Sequence, residues 1–396
     1  MHNSISFDDA LSIMLSNARQ RLCATETVAL AQAAGRILAT DICCDIAMPP
    51  FDKSAMDGFA CRAQDVSQPL CIVGEIPAGV WPEFEIGKGQ CARIMTGAPL
   101  PRGADMVVMV EDTVINADGT MSCVAASKSF NICRCGEDIR AGDVVLPTGE
   151  LISAAHIAVL ATAGAAQVPV YVRPSVRIIS TGSELVDAAS MPIQAQIRNS
   201  NGPQLCAQAQ VLGLSVVNCG IVPDTLAATV EAIMSARQTS DLIIISGGVS
   251  EGDYDFVPAA LTQCGYNILF DSVAMQPGRP MVFAQGTCGF CCALPGNPVS
   301  TFMVFELMVK PFLYALMGHA WHARELKASL SAPFSRRNDS RQGAFPVKQV
   351  SVDTVELIDY HGSAHINAMA AADGILIVPA GIKHIEQGAS VVVRCL

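Results

Sequence analysis

The sequence has fewer basic than acidic residues. Its 25 Lys and Arg residues stand against 36 Asp and Glu residues, which gives a net charge of −11. A surface that neutralises nucleic-acid phosphates needs a basic excess, so the composition argues against a nucleic-acid partner. A basic partner or a bound divalent cation fits the acidic balance better.

Long hydrophobic runs and an N-terminal signal are also absent. Apolar runs such as DLIIIS and VRIIS last five or six residues, which is the length of a strand and too short to span a membrane. The N-terminus places Asp8 and Asp9 ahead of its apolar residues and has no basic segment. With 51% hydrophobic and 15% charged residues, we expect a folded, cytoplasmic protein without membrane contact.

The 16 cysteines lack the pattern of a zinc site. Cys133 and Cys135 are close together, and Cys288, Cys291 and Cys292 form a second cluster, but no partner pair with nearby histidines matches them. We therefore interpret most cysteines as reduced, small core residues.

The histidines give no better metal pattern. Among the seven, only His361 and His365 lie four residues apart. Gly362 and Ser363 between them argue against a helix that would display both rings on one face.

The chain is long enough for several domains. Its 396 residues predict two or three, or more if some are small. The first forty residues read as two helices, one beginning at Asp8 and Asp9 and one capped by Thr25 and ending near Gly35. Residues 48–151 are rich in Gly, Pro and short apolar pairs, which predicts an all-β module.

Strands and helices alternate over residues 176–316. The strand patterns VRIIS, SVVNCGI, DLIIIS and ILFDSV are separated by helical stretches near 203–212, 226–236 and 255–264. This spacing predicts a parallel sheet covered on both faces. A long apolar helix at 299–316 is expected in the core or at a dimer contact. From about residue 323 onward, short strands predict a small β-domain.

Three strand ends lead into loops that combine small and polar residues. The loops are TGSE at 181–184, GGVSEGDYD at 247–255 and PGNP at 295–298. In an open parallel sheet, ligands bind at the carboxyl ends of the strands. Glycines let backbone N–H groups approach a phosphate or another oxyanion, so these loops predict an anion site.

The carboxylates in these loops allow two interpretations. Glu184, Asp253 and Asp255 suit an anion site if a cation such as Mg²⁺, which uses one or two carboxylates plus phosphate oxygens, lies between them. Glu184 and Asp253 could instead cap a helix or turn, the commoner role of a single Asp or Glu. Three such loops together favour a functional site. No Walker lysine motif and no G-x-G-x-x-G occurs, which argues against the usual nucleoside triphosphate and dinucleotide sites.

Longer motifs resemble the MoeA family and the related gephyrin E domain. The signature MPPFDKSAMDGFA at 48–60 is followed in family order by IMTGAPLPRGADMVVMVE, GEDIRAGD, IISTGSELV, SNGPQL, SGGVSEGDYDF, QPGRP, LPGNPVS and GSAHINAMAAADG. The resemblance runs from about residue 45 to residue 374. It implies a molybdopterin molybdenumtransferase, which takes adenylylated molybdopterin and molybdate, uses Mg²⁺, and yields molybdenum cofactor plus AMP.

The resemblance also implies the fold class, a multidomain α/β plus β protein. The expected parts are an N-terminal helix at 1–22 packing on the α/β domain, a linking domain at 23–45 and 143–173, a β-rich domain at 46–142, a parallel-sheet, MogA-like, molybdopterin-binding α/β domain at 174–322, and a C-terminal β-barrel-like domain at 323–396. Family members form elongated homodimers, with the site between the α/β domain of one subunit and the β-rich domain of the other. Transient contacts with molybdopterin adenylyltransferase and molybdoenzymes are expected as well.

Six residues match catalytic positions of the family. Asp57, Thr96 and Asp138 lie on the β-rich side, and Glu184, Asp224 and Asp255 lie in the α/β domain. The last three are implied as Mg²⁺ ligands, with Asp224 alternatively holding the nucleotide or a metal-bound water. Asp57 and Asp138 would orient the pterin or its water network across the dimer. The strand-end loops supply the other expected substrate contacts: Thr181, Gly182, Ser246, Gly247, Gly248, Ser250, Pro295, Gly296, Asn297 and Pro298.

The resemblance further implies a molybdate site made of Gln276, Arg279, Pro280, Ser300, Arg341 and Ser363. Many members have lysine where this chain has Gln276, and Arg279 replaces a second lysine, so the pocket has one fewer formal positive charge. The electrostatic attraction of the pocket for the oxyanion is then weaker, or its discrimination between molybdate and tungstate is altered. Alternatively, Gln276 still donates an N–H and the change is neutral.

Two other functions compete with the transferase. One is a binding scaffold, since the gephyrin E domain also recognises receptor segments; the acidic residue set argues against it. The other is a nucleotide-sugar-type or pyrophosphate hydrolase built on the same α/β domain, because one fold hosts several activities. The MPPFDKSAMDGFA region argues against the hydrolase.

Overall fold

The computed structural model describes residues 4–125, 130–250, 255–359 and 362–396. Helix α1 spans Phe7–Gln20 and confirms the first predicted helix. The Ser6 hydroxyl accepts from the Asp9 N–H at 3.1 Å and caps it, with Asp8 and Asp9 in the first turn. Its buried face, Phe7, Ala10, Met14 and Ala18, packs against the long helix described below.

The predicted second helix is wrong. Thr25–Ala29 is a strand that pairs antiparallel with Gln167–Tyr171, and only a short 3₁₀ turn, Leu30–Gln32, follows it. The β-branched Thr25, Thr27 and Val28 suit a pleated strand, and a partner strand distant in sequence satisfies their backbone groups. Around this pair lie a helix α2, Ala154–Thr162, and the strand pair Ile42–Cys43 with Val144–Leu146.

The Gly- and Pro-rich region is all-β, as predicted. Its four-stranded sheet has the order Cys71–Ile76, Gln90–Ile94, Gly58–Cys61, Met106–Met109. A hairpin, Thr113–Ile115 with Met121–Cys123, and a short pair, Lys53–Ser54 with Ile132–Cys133, complete it. Gly58 of the MDG motif is required by packing, because a Cβ there would lie 1.9 Å from the Val108 carbonyl oxygen.

The α/β region contains a six-stranded sheet. Its strands in chain order are β1 (Ser175–Thr181), β2 (Ser215–Val222), β3 (Leu242–Ser246), β4 (Asn267–Ser272), β5 (Pro280–Gln285) and β6 (Phe290–Leu294). The spatial order is β2-β1-β3-β6-β5-β4, and the first four are parallel. Strand β5 runs antiparallel to both of its neighbours, β4 and β6, because the short connections on either side of it leave no room for a crossover helix.

Helices cover both faces of this sheet, as predicted. Helix α3 (Asn201–Val211) packs on one face with α1, while α4 (Leu226–Ala236) and α5 (Val257–Gln263) pack on the other. Each face has its own apolar cluster, so the sheet separates two cores. The carboxyl ends of β1, β3 and β6 therefore lie side by side at one edge.

Helix α6 continues from Pro298 to Leu316 and includes a π-helical segment, Phe305–Val309. Its length and mean hydropathy of 1.5 would suffice to span a membrane, but 78% of its apolar window is buried inside the fold. Phe312 lies in an aromatic cluster with Phe283 and Phe290, at centroid distances of 5.1–5.7 Å. This placement agrees with the predicted core role.

The C-terminal region forms a closed barrel of five strands: Glu325–Leu330, Gln342–Ser351, Thr354–Leu357, Gly374–Val378 and Ser390–Cys395. Closure leaves no free edge within the ring. A short strand of the α/β region, Met275–Gln276, pairs in parallel with Gln342–Gly343 and joins the two parts. A short helix α7, Asn367–Ala370, and the pair Phe334–Ser335 with His384–Ile385 complete this region.

The cysteines only partly follow the prediction. All sixteen are free, but only six are buried, so the interpretation of most of them as core residues is wrong. Cys291 and Cys292 do lie in the two cores, on opposite faces of β6. Burial raises the pKa of the Cys291 thiol far above its usual value, which keeps that thiol neutral.

A candidate oxyanion cleft at the strand ends

A cleft of about 690 Å³ opens at the carboxyl ends of β1, β3 and β6. This is where ligands bind in open α/β sheets. The structure brings together here most of the residues predicted for the α/β domain: Thr181, Gly182, Glu184, Asp224, Ser246, Gly247, Gly248, Ser250, Asp255, Pro280, Pro295, Gly296, Asn297 and Pro298.

The first two loops approach each other too closely for side chains. Gly247 has φ +96°, and a Cβ on it would lie 2.5 Å from the Thr181 carbonyl oxygen. Gly248 has φ +65°, and its Cβ would lie 2.9 Å from Val257. Both positions therefore require glycine, for conformation and for space.

A reciprocal contact holds two acidic loops together. The Asp224 carboxylate accepts from the Ser183 N–H at 2.8 Å, and the Asp224 N–H donates to the Ser183 hydroxyl at 3.0 Å. Ser183 precedes Glu184, so the contact fixes the Glu184 loop against the Asp224 loop. Arg198 is the one basic residue among the described residues of the lining, which leaves the cleft acidic.

The carboxylates suit Mg²⁺ as a partial ligand set. In the described part of the chain, no three acidic, histidine or cysteine side chains converge closely enough to hold an ion by themselves. Glu184, Asp224 and Asp255 nevertheless line one cleft, and Mg²⁺ is usually held by one or two carboxylates together with waters and phosphate oxygens. The donor set therefore fits a cation that arrives with a phosphate-bearing substrate.

Sequence reasoning missed the start of α3 as part of the lining. Asn199, Ser200 and Asn201 all face the cleft. The Asn201 side-chain amide donates to the Ser246 hydroxyl and to the Gly296 carbonyl, both at 2.7 Å. The SNGPQL motif was the available signal, but contacts across 45 and 95 residues could not be deduced from it.

The predicted residues of the β-rich region lie outside this cleft. Asp57, Thr96 and Asp138 are exposed, and none lines it. Asp57 Oδ1 accepts from the Thr96 N–H at 2.7 Å and from the Thr96 hydroxyl at 2.8 Å. The Thr96 backbone and side-chain bonds hold the pKa of the Asp57 carboxyl below its usual value.

The residues predicted for molybdate are only partly gathered. Arg279 lines a smaller cavity of about 330 Å³, which shares Ser250 and Pro280 with the main cleft. Ser363 accepts from the Asn297 side chain at 3.0 Å and so links the C-terminal region to the PGNP loop.

The other predicted molybdate residues lie apart from the main cleft. Gln276 is exposed, Ser300 is buried, and Arg341 immediately precedes the strand that pairs with Met275–Gln276. None of the three is part of the lining. Asp253 and His361 lie outside the described residues.

Comparison with known proteins agrees with this arrangement. Three family models match the chain: "MoeA N-terminal region (domain I and II)" over residues 5–164, "Probable molybdopterin binding domain" over 177–315, and "MoeA C-terminal region (domain IV)" over 332–396.

Named relatives match over most of their length. The chain is 35% identical to the molybdopterin molybdenumtransferase of Bacillus subtilis over 389 residues, covering 93% of this chain and 89% of that protein. It is 33% identical to that of Haemophilus influenzae over 378 residues, covering 93% of both. A solved molybdopterin biosynthesis MoeA protein from Pyrococcus horikoshii OT3 has a TM-score of 0.86 and 28% identity, with full coverage of both chains.

Proposed function

Because this chain belongs to the MoeA family, we propose that it inserts molybdenum from molybdate into adenylylated molybdopterin and releases AMP. It is a transferase of molybdenum cofactor biosynthesis, in line with its named relatives. Beyond this transferase class, we propose three details: AMP is released, Mg²⁺ is used, and molybdate is the oxyanion.

The observation that carries the proposal is the acidic, glycine-lined cleft at the strand ends. Its three loops come within hydrogen-bond or van der Waals reach of one another, and they expose backbone and carboxylate groups in one place. Backbone N–H groups suit phosphate, and carboxylates suit the cation that accompanies phosphate. A cleft that offers both fits an adenylylated substrate.

Each acidic residue has a proposed task. Glu184 and Asp255 would hold Mg²⁺ on the substrate phosphates. When bound, the ion would neutralise the negative charge that develops as the pyrophosphate link breaks. Asp224 already orients the Glu184 loop through Ser183, and in this proposal it also holds the nucleotide or a bound water. The glycines at 247 and 248 let the loop after β3 pack directly against Thr181 and Val257 at the edge of the cleft.

A second copy of the chain would complete the site. Asp57, Thr96 and Asp138 do not line the cleft of their own chain, so their proposed role requires that they face the cleft of a partner copy. A homodimer with two such composite sites satisfies this requirement. The proposed division of the chain into domains, with boundaries after residues 22, 45, 142, 173 and 322, also rests on the resemblance to the family.

The proposed molybdate contacts centre on Arg279 and Ser363. Arg279 lines a cavity adjoining the cleft, and Ser363 holds the PGNP loop. Gln276, Ser300 and Arg341 line neither the cleft nor that cavity, so their proposed contacts would need a rearrangement. Proposed transient partners are molybdopterin adenylyltransferase and the molybdoenzymes that receive the product, in the cytoplasm.

The proposal is tested with purified protein, adenylylated molybdopterin, Mg²⁺ and either molybdate or tungstate. We expect AMP and metal-loaded cofactor to form together, and both to fall when Mg²⁺ is withheld. Comparison of the two oxyanions gives the preference, and the same comparison in Gln276→Lys decides whether Gln276 alters it. No AMP with either oxyanion would refute the transferase proposal, and AMP without metal insertion would favour a hydrolase.

A further inference from the structure

The carbonyl groups of the PGNP loop are held inside the protein. The Pro295 carbonyl accepts from the Thr301 hydroxyl at 2.5 Å and from the Ser246 hydroxyl at 3.5 Å. The next carbonyl, that of Gly296, accepts from the Asn201 side-chain amide at 2.7 Å. Two successive peptide units are thus anchored through their oxygens by buried side chains.

This anchoring determines where the neighbouring N–H groups point. The two peptide bonds are trans, and in a trans peptide the C=O and N–H point in opposite directions. The Gly296 and Asn297 N–H groups therefore point away from the anchored oxygens. Neither has an acceptor among the described residues, and both residues are exposed in the cleft lining. Adjacent free N–H groups at the start of α6 suit a tetrahedral oxyanion.

Asn201 has a distinct place among the anchors. It is 8% exposed, and its Nδ2 also donates to the Ser246 hydroxyl at 2.7 Å, so one amide ties α3 to the loops after β3 and β6. Its Oδ1 is buried and has no hydrogen-bond partner among the described residues. A buried acceptor without a partner destabilises the fold. That cost offsets much of what the two bonds of Nδ2 contribute to folding, and both bonds act on loops that line the cleft.

We propose that Asn201 is a positioning residue that aims the Gly296 and Asn297 N–H groups at a tetrahedral oxyanion in the cleft. The oxyanion is a substrate phosphate group or molybdate, and this identification rests on the proposed function. Without Asn201 the Gly296 carbonyl loses its donor, the peptide rotates more freely, and the two N–H groups no longer converge.

The test uses the isotopically labelled full-length chain and two separate titrations, one with inorganic phosphate and one with molybdate. In the unchanged protein, the backbone amide resonances of Gly296 and Asn297 should shift and saturate with at least one anion, and the arm that does so identifies the source. The Asn201→Ala variant should bind about 10- to 100-fold more weakly, the worth of one or two lost hydrogen bonds to a charged group.

The matched control is Asn116→Ala. The Asn116 side-chain amide also makes two bonds, to Thr120 and Ser122, both at 2.8 Å, but in a hairpin of the β-rich region. This variant should bind the anions as the unchanged protein does. If Asn201→Ala does not fold, Thr301→Val removes the neighbouring anchor and should also weaken binding.

The outcomes separate this proposal from the proposed function. Absence of amide shifts at Gly296 and Asn297 in the unchanged protein, or undiminished affinity in folded Asn201→Ala, would overturn the positioning role. A lower melting temperature with unchanged anion affinity would mean that Asn201 is merely structural. Failure of AMP release in the unchanged protein would refute the transferase and leave the anion measurement intact.

Discussion

At the scale of single residues, Asp57 and Thr96 show how two separate motifs form one unit. They come from MDG and MTGAP, 39 residues apart, and the Thr96 N–H and hydroxyl both donate to one carboxylate oxygen. Each motif could be recognised in the sequence. Their direct contact could not, because it depends on how two strands of the β-rich sheet are paired.

The Asp57 carboxyl should titrate below its reference pKa of 3.8. Thr96→Val removes the hydroxyl donor and should raise that pKa, whereas Thr120→Val, which removes the donor to Asp118, should not. The pKa of Asp57 in each variant is measured by following its carboxyl resonance by NMR as the pH changes. Because the folded-state pKa is depressed, the contribution of this contact to stability is present above the unfolded pKa and is lost as pH falls through the folded value. An unchanged Asp57 pKa in Thr96→Val would contradict this account.

The cleft carboxylates should be needed for chemistry and not for folding. Glu184→Gln and Asp255→Asn should each lower the rate of AMP release by about 100-fold or more, the usual cost of removing a group that stabilises developing charge. Melting temperature and oligomeric state should stay as in the unchanged protein, since Glu184 is exposed and Asp255 is only half-buried. The exposed Glu356 of the barrel provides the control Glu356→Gln. Normal turnover in either cleft variant would refute its proposed role.

At the scale of elements, the close packing of the β1 and β3 ends explains the double glycine. Gly247→Ala should cost about 1–2 kcal/mol for its positive φ, and more for the contact with the Thr181 carbonyl oxygen at 2.5 Å. The control is Gly119→Ala, whose φ of +83° is similar but whose Cβ would meet nothing within 4 Å. Chemical denaturation should show a larger loss of unfolding free energy for Gly247→Ala than for Gly119→Ala. Equal losses would mean that the contact with the Thr181 carbonyl oxygen does not restrict residue 247 to glycine.

Elements with a strong local pattern were predictable. The helix Leu226–Ala236 falls where its apolar periodicity placed it, and the strand runs VRIIS and DLIIIS became β1 and β3. The strand Thr25–Ala29 was not, because its pattern is short and its structure depends on a partner strand more than 130 residues away. The antiparallel direction of β5 likewise depends on the lengths of its two connections more than on its own residues.

The anchoring of the PGNP loop could not be read from the sequence. The loop itself was predicted from its glycine and prolines, but its orientation is fixed by side chains from α3, β3 and α6. Asn201, followed by Gly-Pro, predicts the start of a helix, and α3 does begin there. Nothing in the local sequence indicates that its side chain also holds the Gly296 carbonyl.

At the scale of the whole molecule, the six predicted catalytic residues divide into two groups. Glu184, Asp224 and Asp255 line one cleft, and Asp57, Thr96 and Asp138 lie outside it. The motifs along the chain predicted both groups, and the proposed homodimer would bring them together.

Complementation between inactive variants tests the composite site. Asp57→Asn and Asp255→Asn should each be inactive alone. When subunits of the two variants are mixed and allowed to exchange, a hybrid dimer contains one site with both native residues. Random exchange should therefore restore about a quarter of the unchanged protein's activity, since half of the dimers are hybrids with one working site of two. Mixing either variant with itself is the control. No recovery after verified exchange would place both residues in one chain's site.

The most direct test of the central claim is the ratio of products in a single turnover. The unchanged protein, given adenylylated molybdopterin, Mg²⁺ and the oxyanion it uses, should release one AMP for each metal-loaded cofactor formed. AMP without loaded cofactor, or loaded cofactor without AMP, would contradict the account.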